Sequence, residues 1–134
     1  MNEDFVSFEL AVKLKKKRFD KPCFAYYTND DTLYLNHSWK AGENYSGCLL
    51  SHNLMHKDSV SGKFVDAPTI SQVLKWLREE KKIHIVIDFD GGMCWYYQIA
   101  LYGLTTYEKE SEHKYNSYEQ AALAGIEYVL DNLV

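Results

Sequence analysis

The chain has 134 residues and a mass of 15.6 kDa, the size of one domain with a core of its own. About two-thirds of the unfolded chain's surface is buried on folding at this size, so no disulfide or metal staple is needed. Apolar residues make up 46% and charged residues 25%, which excludes a disordered chain, and no run of 18 or more apolar residues is present to cross a membrane.

The unusual feature of the composition is aromatic content, at 15%, with 11 Tyr, 6 Phe and 3 Trp. Net charge is −4 and unevenly spread. Residues 1–82 carry 13 basic and 11 acidic side chains, and residues 83–134 carry 2 basic and 8 acidic. An acidic C-terminal third disfavours contact with a phosphate backbone there. The opening Met1-Asn2-Glu3-Asp4 lacks the basic-then-apolar pattern of a secretory leader. Cys23, Cys48 and Cys94 are odd in number and far apart, which together predicts a reduced, cytoplasmic protein.

Residues 5–18 show helical spacing, with Ser7 as N-cap. Phe8, Ala11 and Val12 share a face, with Leu14 or Leu10 at its edge. Phe19-Asp20-Lys21-Pro22 stops the helix, because the residue before proline avoids helical geometry. Cys23 to Tyr27 and Leu33 to Asn36 read as strands joined by the polar turn Asn29-Asp30-Asp31-Thr32. Residues 37–66 are polar and hold three of the seven glycines, so they read as a long loop, with a short strand at Cys48-Leu49-Leu50.

Thr69-x-x-Gln72 fits a capping box, and Ile70, Val73, Leu74 and Leu77 then recur at helical spacing up to Lys81-Lys82. Ile83 to Asp90 alternates, with Ile83, Ile85, Ile87 and Phe89 on one face and His84, Val86, Asp88 and Asp90 on the other. Gly91-Gly92 turns the chain. The return strand Trp95 to Leu101 puts Trp95, Tyr97, Ile99 and Leu101 on one face and Tyr96, Gln98, Ala100 and Tyr102 on the other. Residues 104–109 add a third strand, and both sheet faces carry side chains large enough to need cover. The last helix opens with Ser117-x-x-Gln120, a second capping box. Ala121, Ala122, Gly125, Val129 and Leu133 form its apolar face, flanked by Ile126 and Leu130. Gly125 costs about 1 kcal/mol there relative to alanine, which close packing on a strand would offset.

The order α-β-β-(loop)-α-β-β-(β)-α, with tight turns between paired strands, predicts a single α+β domain over residues 1–134. Its sheet is mainly antiparallel and it has three helices. Ala67-Pro68-Thr69-Ile70-Ser71-Gln72-Val73-Leu74-Lys75-Trp76-Leu77-Arg78-Glu79, with Ser117-Tyr118-Glu119-Gln120-Ala121-Ala122-Leu123-Ala124-Gly125-Ile126-Glu127-Tyr128, resembles short uncharacterised proteins of gut anaerobic bacteria and their prophages and mobile elements. The resemblance covers residues 67–134. It implies an accessory protein and brings no activity or catalytic residues with it.

Ile85-Val86-Ile87-Asp88-Phe89-Asp90-Gly91-Gly92 looks like the first motif of haloacid dehalogenase-type phosphotransferases, with Asp88 as nucleophile and Asp90 as proton carrier. Gly92 stands where threonine is expected, only 44 residues follow Asp90, and the next strand returns at once, so a hairpin turn is the simpler reading. Cys48, His52 and His56 are spaced by four and would share one face of a helix as zinc ligands, but Gly47 and Ser51-His52-Asn53 argue against a helix. Cys94 and His84 sit on adjacent strands but towards opposite ends, so Cys94 reads as a small hydrophobe. Residues 69–134 read α-β-β-β-α, the topology of double-stranded-RNA-binding domains, yet the second helix begins without lysine or arginine.

No cofactor is predicted. The reading favoured is a non-catalytic protein-binding module whose partner is another protein or a second copy, with Tyr26, Tyr27, Trp95, Tyr96, Tyr97 and Tyr102 as its interface. Two alternatives stand beside it. One is a nucleic-acid accessory protein using Lys13, Lys15, Lys16, Lys17 and Arg18, a run that reads first as the cationic last turn of a helix. The other is a small metal-assisted enzyme at Cys48, His52 and His56.

Overall fold

A computed structural model describes residues 4–28, 32–40, 43–46, 49–51, 53, 64–92, 94–103 and 107–134. The chain forms two compact units, Met1–Thr69 and Ile70–Val134. The class is α+β, with three helices among the described residues, and every strand pairing is antiparallel.

In the first unit, helix α1 spans Phe8–Lys16, and its Ser7 hydroxyl accepts from the Leu10 amide at 3.3 Å. The helix ends well before Pro22. The Phe19 amide donates to the Leu14 carbonyl at 3.0 Å and the Arg18 amide to the Lys15 carbonyl at 3.1 Å. These are the two bonds of a Schellman cap, with Arg18 at φ 65 where glycine is usual. The accompanying apolar contact is supplied by Phe19 and Leu14, both fully buried. Burying a phenylalanine contributes about 3 kcal/mol, more than the roughly 1–2 kcal/mol that a left-handed arginine costs. Leu10, Ala11 and Leu14 form the buried stripe of α1, so the two leucines lie at its centre rather than its edge.

Strands β1 (Ala25–Tyr27) and β2 (Leu33–Leu35) pair as a hairpin with Tyr26 opposite Tyr34. Cys23 stands outside the strand and bridges Leu50. The polar stretch read as a loop contains a second hairpin, β3 (His37–Lys40) with β4 (Glu43–Ser46). The end of that stretch enters β5 (Val65–Ala67), which pairs with the open edge of β1 to give the sheet order β2-β1-β5. The Tyr27 hydroxyl donates to the Val6 carbonyl at 2.8 Å, and its ring meets Phe8 edge-on at 5.6 Å. Asn53 and Asp66, both buried, exchange two bonds: the Asn53 amide donates to Asp66 Oδ2 at 2.9 Å, and the Asp66 amide donates to Asn53 Oδ1 at 3.0 Å.

The second unit begins with helix α2 (Ile70–Glu80), whose buried residues are Ile70, Val73, Leu74, Trp76 and Leu77. Strands β6 (Ile83–Phe89), β7 (Trp95–Leu101) and β8 (Lys109–Glu110) follow as a meander in the order β6-β7-β8. Helix α3 (Tyr118–Asn132) closes the unit, and α2 and α3 both pack on this sheet. The Ser117 hydroxyl accepts from the Gln120 amide at 3.1 Å. The return bond of the box slips by one residue, since Gln120 Oε1 accepts from the Asn116 amide at 3.2 Å rather than from Ser117. At Gly125 a Cβ would lie 3.0 Å from Ile85 Cγ2 and 3.2 Å from Tyr97 Cγ, so α3 lies against the face of Ile85 and Tyr97. That close approach explains a glycine in mid-helix.

Candidate functional site

Isoleucines at 83, 85 and 87 face the helices, so alternation sends His84, Val86 and Asp88 to the opposite face of β6. The register places Asp88 beside Tyr96, Val86 beside Gln98 and His84 beside Ala100. On the other side of β7, Glu110 pairs with Gln98. Tyr96 on the central strand therefore has the Asp88 carboxylate directly opposite on β6 and the Glu110 carboxylate diagonally on β8, two residues along. Partial burial raises its phenol above the usual value, and the charges of Asp88 and Glu110, a hydrogen bond with Asp88 and the nearby Tyr107 push the same way. Asp88 and Glu110 are exposed, Tyr107 is 50% exposed, and Tyr102, one residue past β7, is 68% exposed. Lys82 Nζ sits 5.6 Å from the centre of the Tyr102 ring.

The hairpin end of the unit carries a second aromatic group. Phe89 and Trp95 face each other across the strands at 5.1 Å, and Tyr118, the first residue of α3, meets Trp95 edge-on at 5.7 Å. Phe89 is 45% exposed because it extends beyond the last buried isoleucine of β6. The turn beside it is held by Asp90, whose carboxylate accepts from the Gly92 amide at 2.8 Å and pairs with Lys114. The Lys114 hydrogen bond and the Gly92 amide hold the Asp90 carboxyl below the usual carboxylate range, and the same pair raises Lys114. Gly91 takes φ 82, a conformation that side chains disfavour.

Six aromatic residues were expected at an interface, and the structure separates them. Tyr27 and Tyr97 are core residues, each 6% exposed, because alternation turns them towards the helices of their own units. They have almost no surface to present. Tyr26 is half-buried and stacks on the exposed Tyr34 at 5.6 Å. Trp95 and Tyr96 are half-buried, and Tyr102 is exposed. Trp95 and Tyr96 occupy opposite faces of β7, so they do not share one site.

The cationic run lies at the end of α1, with Lys13, Lys15 and Lys16 in its last turn, Lys17 as C-cap and Arg18 in the cap motif. There the charges complement the helix dipole. Burial lowers the Lys15 ammonium pKa, with the charge of Asp66 opposing. Cys48, His52 and His56 lie outside the described residues. Among the described residues, no three His, Cys, Asp or Glu side chains group so as to hold a metal.

Asp88 and Asp90 sit on an antiparallel hairpin, not at the end of a parallel strand facing a phosphate. The Gly92 amide donates to Asp90 in the turn, and the Phe89 amide donates to Asp88 within β6, so both carboxylates are bonded to nearby backbone. Cys94 lies at the turn, its carbonyl accepting from Asp90, whereas His84 pairs with Ala100, six residues and about 20 Å further along the strand. Cys23 is buried, and that burial together with the charge of Asp66 pushes its thiol far above the usual range. A thiol held protonated in this way is a packing residue.

Sequence reasoning missed Tyr107, Phe89, Tyr118 and Lys114. Phe89 and Tyr118 had a signal, being large apolar residues at the two element ends that meet beside a glycine turn. Tyr107 and Lys114 fall in stretches without periodicity, and nothing local marks them. No protein-family model matches the chain. No curated protein and no solved structure matches it either.

Proposed function

We propose that the protein is a non-catalytic binding module that docks another protein on the face of the β6–β7–β8 sheet turned away from α2 and α3. The observation that carries this reading is the exposure of Tyr107 near the half-buried Tyr96, with the exposed Tyr102 about 20 Å further along β7, on and around a face that neither helix of the unit covers. Tyrosine suits such a surface: it supplies a large rigid contact area at the cost of two side-chain torsions and keeps a polar end for water or a partner. The separation of Cys94 from His84 and the local backbone bonding of Asp88 and Asp90 leave those residues without a catalytic part in this reading. The resemblance of residues 67–134 to short proteins of gut anaerobes and their prophages fits an accessory role in the cytoplasm, and the partner is a second protein or a second copy of the chain.

Selection of peptides from a random display library against the folded protein tests the module. Selected peptides are expected to lose most of their affinity for Tyr96→Ala and Tyr107→Ser variants. Peptides that bind both variants as well as the parent would place the site elsewhere. Light scattering addresses the second-copy case, where a strictly monomeric mass at high concentration removes self-association.

A further inference from the structure

We infer that this sheet face takes a basic segment of its partner, with a lysine or arginine seated over Tyr96 between Asp88 and Glu110. The inference rests on the binding-module reading and adds the chemistry of the partner. Strands in a sheet lie about 4.8 Å apart and rise about 3.4 Å per residue; Asp88 stands directly opposite Tyr96 and Glu110 diagonally beyond it, opposite Gln98, so the two carboxylate residues lie on either side of Tyr96 about 12 Å apart at their Cα atoms. That span admits one cationic head group. Both carboxylates are exposed, and among the described residues neither forms an ion pair.

The cations nearest in sequence are engaged elsewhere. Lys109 Nζ lies 5.4 Å from the ring of Tyr128 on α3, and it also pairs with Glu112. Lys114 pairs with Asp90 at the turn. An ammonium or guanidinium between two carboxylates and over a tyrosine ring gains from both, since the ring face attracts cations as well. The protein uses the same chemistry internally, with Lys82 placed over Tyr102 and Lys109 over Tyr128. Residues 83–134 carry a balance of −6, which draws a cationic segment towards the unit before contact. Tyr102 and Tyr107 extend the aromatic surface beyond the carboxylate pair, further than one small amine covers. A peptide segment matches that extent.

The test is fluorescence anisotropy with two labelled peptides of equal length, one a repeat of Gly-Lys-Gly-Arg and the other of Gly-Gln-Gly-Gln. The basic peptide is expected to bind the full chain at least about tenfold more tightly, and to weaken markedly between about 50 mM and about 500 mM salt. Asp88→Asn with Glu110→Gln, which preserves shape, is expected to cost about tenfold. Glu79→Gln with Glu127→Gln removes the same charge from the helices and is expected to change binding less than about twofold. Equal losses in the two double variants would reduce the effect to diffuse attraction and overturn the inference. Equal binding of both peptides, each sensitive to Tyr107→Ser, would overturn the partner chemistry while leaving the module reading intact. If neither peptide binds and display-selected peptides ignore Tyr96 and Tyr107, both readings fall. Self-association that the Asp88 and Glu110 changes abolish would make a second copy the occupant, and this too overturns the inference.

Discussion

Gly125 offers a direct test of how the second unit is packed. Replacing it with alanine in mid-helix gains about 1 kcal/mol of helix propensity. The new methyl would sit 3.0 Å from Ile85 Cγ2 and 3.2 and 3.3 Å from Tyr97 Cγ and Cδ1. Those neighbours have little room to yield. Ile85 is buried in the middle of β6, and the buried Tyr97 is backed by Tyr115 at 6.3 Å. Overpacking of this kind costs about 1–3 kcal/mol, so Gly125→Ala is expected to be destabilising by roughly 1 kcal/mol net.

Urea unfolding followed by tryptophan fluorescence, with Trp76 and Trp95 reporting the unit, should place the midpoint about 0.5–1 M lower. In an Ile85→Ala background the nearest obstruction is gone, and the same methyl then fills part of a cavity. The double change is therefore expected to be less damaging than the sum of the single ones by about 1 kcal/mol or more. A Gly125→Ala variant more stable than the parent, with no coupling to Ile85, would refute the close approach of α3 to the sheet.

Three further outcomes follow from the same geometry. Arg18→Gly should stabilise the first unit by up to about 1 kcal/mol in thermal unfolding, since glycine adopts the left-handed cap position without strain. Alkylation by iodoacetamide followed by peptide mapping should modify the half-buried Cys94 well before the buried Cys23, whose raised pKa keeps it protonated. The Asp90–Lys114 pair combines a lowered carboxyl pKa with a raised ammonium pKa. Its contribution is present above the ordinary carboxylate value and lost as pH falls through the lower folded one; at the other limit it is lost only as pH rises through the raised lysine value. The difference in melting temperature between the parent and Lys114→Met should therefore stay level from about pH 5 to 9 and shrink in more acidic solution.

What could be read in advance was local. Ser7 and Ser117 cap their helices, Ile83 to Phe89 and Trp95 to Leu101 pair antiparallel with the faces that alternation dictates, and Gly125 marks a close contact. Each of these depends on neighbours within a few residues or across one tight turn. The end of α1 was read less well, because the Schellman cap at Arg18 is set by Phe19 finding a buried place against Leu14, whereas Pro22 only forbids what lies beyond. The pairing of β1 with β5 joins residues about 40 positions apart, and no local pattern encodes it. Asn53 and Asp66, polar residues that composition would place at the surface, are buried because each satisfies the other.

For the candidate surface the division is similar. The sequence by itself determined that tyrosines would lie on both faces of a hairpin and that the acidic charge would gather after residue 82. Period-two alternation and simple counting suffice for that. Only the tertiary structure decided which face the helices take, and hence that Tyr97 is core whereas Tyr96 lies on the face they leave uncovered. It also decided that Asp88 and Glu110, 22 residues apart in the chain, flank the same tyrosine. The physical reason is that strand order and helix placement are settled by long-range burial, while alternation only guarantees that the two faces differ.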